Sequence, residues 1–294
     1  MQTKQQIQQL LASAGLEPNK RRGQNFLIDL NLMRLLLQSA HLNDADTVLE
    51  VGCGTGSLTE ELAQRAGKVV VAEIEEALYD IARAQLADAP NVRFFNVDIL
   101  ESKNTIDSQV LNALENACAE LGSRLLLVAN LPYSVASPVM INLVTGPLAA
   151  DEMYVTVQKE VADRMAAAPD SPDYGTLSIL LAATGDVRLM RTIRPSCFWP
   201  APQVDSAMIS FTRDPEKAAR IHNMEVLGRV VALFMQHRRK MLQACAKLAE
   251  PPLDKVRNWP AIFAEAFTNP QLRPEQITPE NYISIANLCA AQIT

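Results

Sequence analysis

Residues 48–58 read VLEVGCGTGSL, and this stretch decides how the rest of the chain is read. Its apolar, partly β-branched opening is a short strand, and three glycines at alternate positions interrupt it. Glycines there let the backbone turn tightly and approach a ligand at the strand's carboxyl end, the usual site in open α/β sheets. The helix-compatible LTEELAQRA follows directly. The dinucleotide fingerprint requires a glycine three residues after Gly54, and this chain has Ser57 there. Glu50, just before the glycines, suits a cationic ligand better than a pyrophosphate. The bland alternative is a tight βα turn that binds nothing.

Working outward, strands alternate with helical stretches. KVVVAEI, VRFFNV, RLLLVAN and MYVTVQ are further strands, with helices read in EEALYDIARAQLA, SPVMINLVT and KEVADRMAA. This rhythm implies βαβ units, a parallel sheet and helices on both faces. Near-continuous apolar strands fit burial on both sides. DVRLMRTI and SAMISFT, joined by the proline-rich RPSCFWPAPQVD, read as a terminal hairpin closing the sheet edge. The fold class expected is therefore α/β, a Rossmann-like, mostly parallel sheet of seven strands. Upstream, Ile7, Leu10, Leu11 and Ala14 mark a short amphipathic helix, NKRRGQNFLID a basic loop, and Asp29 the cap of LNLMRLLLQSA. Beyond residue 213 strand signals fade. Leu227, Val230, Val231, Phe234 and Met235 recur at helical spacing, and Thr278-Pro279 starts a final helix. Two domains are expected, 1–213 and a small all-helical 214–294.

Composition excludes several classes. The chain has 294 residues, 48% hydrophobic and 20% charged, an ordinary globular balance. Net charge is −6, so a nucleic-acid partner must be held by local basic clusters. Five scattered cysteines without a CxxC pair fit a reducing compartment, and three distant histidines do not fit a metal site. Neither a signal-peptide core nor a bilayer-length apolar run is present, so a soluble, cytoplasmic protein is expected.

Three strand ends carry groups that suit an adenosine. Glu73 ends the second strand, where a carboxylate can accept both ribose hydroxyls; its alternative is a surface glutamate near a helix start. Asp98 follows the third strand and can accept from an adenine amino group, or else cap the next segment. The fourth strand ends in Asn130-Leu131-Pro132-Tyr133. Pro132 stops regular continuation, the Asn130 side-chain oxygen and the Leu131 carbonyl are acceptors, and Tyr133 offers a flat face. In the common strand order, Asn130 is expected beside the strand end that bears Asp98. Two acceptors and a ring form a receptor for a planar base with an exocyclic amino group; a purely structural turn is the alternative.

With GQNFLID, EVGCGTGSLT, NLPY, YGTLSIL, PAPQVDSA and HRRKML in this order over nearly the whole chain, the sequence resembles the small-subunit ribosomal RNA adenine dimethyltransferases. These use S-adenosylmethionine. The resemblance implies that Asn25 and the Leu27 backbone clasp the methionine end of the cofactor. Gly52 and Gly54 would contact it, Glu73 hold the ribose and Asp98 read the adenine. Asn130 would be shared between cofactor and target base, with Tyr133 and Phe198 on either side of that base. Cys53 and Gln203 stand where the family commonly has proline and lysine. The implied substrate is two adjacent adenines in a small-subunit rRNA hairpin within a pre-ribosomal particle, methylated by a monomer without a metal. RNA contact is expected from Lys20, Arg21 and Arg22, from Arg188, Arg191 and Arg194, and from Arg238, Arg239 and Lys240. Each triplet alone reads better as a solvated face, and it is three clusters in a chain of net negative charge that point to RNA. Two alternatives remain: a related large-subunit adenine methyltransferase, and an RNA-binding assembly factor without activity.

Overall fold

The computed structural model describes residues 1–18, 24–122 and 124–293. They divide into two compact units, Met1–Ala162 with Arg188–Thr212, and Asp163–Val187 with Arg213–Thr294.

The first unit is built on one seven-stranded sheet. Its strands are β1 (Thr47–Val51), β2 (Lys68–Ala72), β3 (Val92–Phe95), β4 (Leu125–Asn130), β5 (Glu152–Gln158), β6 (Gly185–Ile193) and β7 (Ser206–Arg213). They lie in the order β3-β2-β1-β4-β5-β7-β6. β1 to β5 pair in parallel, and β7 runs antiparallel to β5, with Ser206 opposite Gln158. The chain moves outward from β1 to β3 and then returns to place β4 on the other flank of β1. That reversal opens a crevice at the carboxyl ends of β1 and β4, where open α/β sheets bind ligands. It also corrects one expectation: Asn130 ends next to the Gly52 end of β1, and Asp98 lies two strands away.

Six helices accompany this sheet, α1 (Lys4–Ser13), α2 (Leu30–Ser39), α3 (Ser57–Ala63), α4 (Glu76–Gln85), α5 (Ser108–Leu121) and α6 (Ala136–Thr145). As expected, the Asp29 side chain caps α2, accepting from the amides of Asn31 and Leu32. The α2 and α3 residues Leu32, Leu36, Leu58 and Leu62 join Val48, Val69, Val71, Leu126 and Val128 in one core. Helix α5 was not anticipated. Asp107 caps it at its start, Gly122 ends it in the left-handed conformation, and Val110, Ala113, Leu114 and Ala117 form its buried face.

A second unforeseen element is a two-residue ribbon. Phe26 and Leu27 pair antiparallel with Trp199 and Phe198. The Ile28 amide donates to the Cys197 carbonyl at 2.9 Å, and the Phe26 and Trp199 rings stack at 6.2 Å.

Helix α7 (Lys159–Met165) leads out of β5. The second unit holds α8 (Thr176–Thr184), α9 (Pro215–Ala219), α10 (Met224–Gln236), α11 (Leu242–Ala246), α12 (Trp259–Glu265) and α13 (Pro279–Ile293). Residues 163–187 were expected in the first domain and instead belong here. The reason is α8, whose sequence TLSILLAAT is apolar on nearly every side and is buried by packing against α10 and α13. The aromatic rings of Phe234, Trp259, Phe263 and Tyr282 meet in the middle of this unit at centroid distances of 5.8 to 6.3 Å. Tyr174 and Tyr282 satisfy their buried hydroxyls on the carbonyls of Ile277 and Pro274. Among the described residues no helix is long and apolar enough to cross a membrane.

Candidate active site

Strand alternation explains where the polar groups of the first unit gather. Val48, Val69, Val71, Leu126, Val128, Tyr154 and Met208 face the α2–α3 side of the sheet. Two residues on, the same face carries Glu50, Glu73, Asn130 and Thr156, and Ser206 lies on it at the start of β7. Every one of these falls at the carboxyl end of the parallel strands, so the apolar core gives way to polar groups at one edge. Glu50, Glu73, Asn130 and Tyr133 line one cavity there, together with Asn25 and Leu27. A second cavity, reaching Asp98, shares Gly52, Glu73, Ile74 and Pro132 with it, which makes the two one crevice.

The glycine loop is shaped by its neighbours. Gly52 has φ +75°, and a Cβ there would lie 2.6 Å from Pro132 Cγ; Gly54 has φ +58°, and its Cβ would lie 2.8 Å from the Phe26 ring. Both conditions, left-handed backbone and close approach, demand glycine. The loop thus lets Pro132 and Phe26 close in on either side of the crevice floor.

Glu73 is buried. The amides of Gly54 and Glu75 donate to its two carboxylate oxygens, each at 3.0 Å. Burial pushes its carboxyl above the ordinary range, and these amides partly counter that. The Cys53 thiol adds a long contact to one of these oxygens at 4.0 Å, and a carboxylate has about four acceptor sites, so capacity remains for a ligand hydroxyl. Glu50 is more extreme. It is fully buried, and burial, reinforced by the charge of Glu73, pushes it up to about 8. Among the described residues its Oε2 has no hydrogen-bond partner, and the nearby Thr59 hydroxyl, though close enough to soften the shift, forms no well-aligned bond either. A buried carboxyl left unpaired beside a cavity is open to a ligand donor there, and a cationic one would favour its ionised form.

The Asn130 side chain is held at both ends. Its Nδ2 donates to the Asn25 carbonyl at 2.9 Å, and the Thr156 hydroxyl donates to its Oδ1. The Leu131 amide donates to the Thr156 carbonyl at 3.1 Å. Tyr133 shares a 2.7 Å hydrogen bond with the buried Ser206 hydroxyl, which fixes the ring's tilt, and burial raises its phenol above the ordinary range. Sequence reading missed Thr156, Ser206 and Gln24, which also lines the cavity. Thr156 had a faint signal, a small hydroxyl within the apolar run of its strand, whereas Ser206 shares its strand with Ser210 and Thr212 and had none.

The structure separates other expected site residues. Asp98 is exposed at the far end of the crevice, and its Oδ1 accepts from the Leu100 amide at 3.0 Å. That bond closes a local turn ahead of the short strand Leu100–Ser102, with no helix there to cap, and it leaves Oδ2 for a ligand. Phe198 is buried in the first unit's core opposite Leu27 and is not on the cavity wall. Lys20, Arg21 and Arg22 lie outside the described residues. Arg188, Arg191 and Arg194 are exposed on and beside the edge strand β6. In the second unit, Arg238 donates to the carbonyls of Pro172 and Ser171, and Arg239 and Lys240 are exposed.

The crevice therefore offers a cation acceptor at Glu50, a hydroxyl acceptor at Glu73 and acceptors beside a ring at Asn130–Tyr133. S-adenosylmethionine fits these groups. It carries groups of each matching kind: a cationic methionine end, a ribose diol and an adenine amino group.

Comparison with known proteins points the same way. The family model described as ribosomal RNA adenine dimethylase matches residues 15–271. The ribosomal RNA small subunit methyltransferase A of Geobacillus thermodenitrificans is 35% identical over 280 residues, covering 95% of this chain and 93% of its own length. The protein of the same description from Moorella thermoacetica is 34% identical, covering 94% of each. Among solved structures, a dimethyladenosine transferase from Plasmodium falciparum superposes with TM-score 0.67 at 19% identity, over 88% of this chain and 95% of its own. The 23S rRNA methyltransferase ErmE does so with TM-score 0.58 at 23% identity, over 90% and 98%. At these identities the two structures speak for the fold.

Proposed function

Because this chain belongs to the ribosomal RNA adenine dimethylase family, we propose that its crevice dimethylates the exocyclic amino group of two adjacent adenines in a small-subunit rRNA hairpin. The protein is an S-adenosylmethionine-dependent rRNA adenine N6,N6-dimethyltransferase. Its substrate is rRNA in a pre-ribosomal particle, it acts as a monomer, and it works in the cytoplasm. The curated relatives that match along almost the full chain carry a small-subunit description, which favours that RNA over the large-subunit one.

The observation that carries the reading is the bracing of Asn130. When bound, S-adenosylmethionine supplies an electrophilic methyl group. Everything else falls to the chain. The adenine amino nitrogen is a weak nucleophile because its lone pair is delocalised into the ring. Asn130 Oδ1, with a lone pair left over from Thr156, and the Leu131 carbonyl accept the amino hydrogens and favour a pyramidal nitrogen. Tyr133, held by Ser206, gives the base a face to stack on after it leaves its own stack. Phe198 supports this pocket from behind through the Leu27 pairing. Catalysis of this kind is orientation and electrostatics, with no strong base needed. The second unit contacts the RNA.

The test incubates the protein and S-adenosylmethionine with small subunits that lack adenine dimethylation, and reads the RNA by nucleoside mass spectrometry. Dimethyladenine is expected, and Asn130→Ala should lower its rate of formation by about 10²-fold or more, the scale of one lost positioned polar group. Product on large-subunit RNA alone would assign the other substrate. Cofactor binding without product on either RNA would make this a binding factor.

A further inference from the structure

The second unit displays an aromatic ring that its own fold does not use. Phe267 is 95% exposed, far beyond the other exposed large apolar side chains. Its φ is +50°, a left-handed conformation that a bulky residue rarely adopts. The backbone around it is tied down. Its amide donates to the Ala264 carbonyl at 3.1 Å, the Thr268 amide to the Phe263 carbonyl at 2.8 Å, and the Asn281 side chain to the Thr268 hydroxyl at 3.1 Å. The ring is therefore held out on a fixed turn, where glycine would fit the backbone better and a polar residue would fit the solvent better.

Exposed cations lie on segments joined to this turn. The Gln243 amide donates to the Pro270 carbonyl at 3.1 Å and the Leu242 amide to the Leu272 carbonyl at 2.9 Å. These bonds lay the segment 239–243 along 270–273, which begins three residues after Phe267. Arg239, Lys240 and Arg273 are all exposed there, against two exposed acids, Glu265, two residues before the ring, and Glu280, beside the Asn281 that bonds Thr268. In a molecule of net charge −6, such a cluster beside a bare aromatic has the composition of a nucleic-acid contact: cations for phosphates and a ring for a base.

We propose that Phe267 is a stacking platform for an unpaired base of the substrate RNA, with Arg239, Lys240 and Arg273 holding the phosphates beside it. The assignment rests on the reading that rRNA is the substrate. Stacking on every base's π-face makes it a docking contact, not a reader of sequence, and it fixes where the second unit sits on the RNA.

The experiment measures affinity for small subunits lacking adenine dimethylation, using Phe267→Ala, Phe267→Gly and Phe267→Tyr. Glycine suits the turn, so Phe267→Gly keeps a melting temperature at or above that of the parent and separates lost binding from lost folding. Both truncations should weaken subunit binding about tenfold, the equivalent of about 1.4 kcal/mol. Phe267→Tyr should keep the affinity, and S-adenosylmethionine binding should be unchanged in all three. A photoreactive phenylalanine at 267 should crosslink to rRNA. Parental affinity in Phe267→Gly, or a crosslink only to a ribosomal protein, would overturn the stacking assignment while leaving the substrate intact. A parent protein that binds no small subunit would overturn the substrate reading and this proposal together.

Discussion

Glu50 is a carboxyl group removed from water with one oxygen unpaired. Its ordinary value is 4.5, and in the folded protein it reaches about 8. The folded state therefore holds the proton more tightly than the unfolded chain does. Stability is unaffected below the unfolded value, falls as pH rises from about 4.5 to about 8, and levels off above that. Within this window one such group contributes a slope of at most about 1.4 kcal/mol per pH unit. Glu73 shifts in the same direction and adds to the trend. Glu50→Gln keeps the side chain's shape and removes its titration. Thermal unfolding of the ligand-free protein should show a midpoint that declines with pH across this window, and a shallower decline in Glu50→Gln. Equal slopes would mean that Glu50 carries no such shift. At this scale the sequence was most informative. Glu73, Gly52 and Asn130 each stand at a strand end, where type and position alone restrict the chemistry. What it could not supply was who holds each group. Thr156 braces Asn130 from 26 residues away, and Asn25 does so from 105. Such partners meet only when the strands pair.

Among elements, the ribbon of Phe26–Leu27 with Phe198–Trp199 has the largest consequence for its size. It ties the GQNFL loop to the proline-rich segment before β7, and Phe26 and Leu27 both line the cavity. The Phe26–Trp199 stack secures one end of it. Trp199→Ala removes that stack, worth about 0.5–1.5 kcal/mol beyond area burial. The expected result is a severalfold weaker S-adenosylmethionine affinity by titration calorimetry. The Tyr133–Ser206 bond is formed by other residues, so Tyr133 should keep its place. Unchanged affinity would show that Phe26 keeps its position without the stack. A two-residue strand leaves no periodic trace in a sequence, which is why this ribbon was invisible there. Helix α5 is a different case. Its Asp107 cap, helical spacing of buried residues and terminal Gly122 were all present in the sequence, between strands that were read correctly.

Over the whole molecule, charge is the quantity that matters for a polyanionic partner. At net −6 the protein gains nothing from long-range attraction, so RNA binding is expected to depend on local clusters, for which Arg239, Lys240 and Arg273 are the proposed candidates. Neutralising phosphates releases counterions, so affinity for small subunits should fall with rising salt, and S-adenosylmethionine affinity should change little. Replacing Arg239 or Lys240 by Ala should lower the salt slope by about one each. A slope untouched by both would place the phosphate contacts elsewhere, Arg188, Arg191 and Arg194 on the edge strand being the next candidates.

By itself the sequence determined the α/β class, the glycine turn, the strand-end acceptors and the family, because these depend on local periodicity and on short motifs whose residues are neighbours in the chain. The tertiary structure alone decided three things. It placed β4 beside β1, so that Asn130 meets the glycine loop and Asp98 stands apart. It assigned α8 to the second unit, since a helix apolar on nearly all sides goes wherever it can be covered. It also buried Phe198 and exposed Phe267, two phenylalanines with the same side chain. Their fates differ because burial depends on which distant surfaces close over a residue, and that is fixed only when the whole chain has folded.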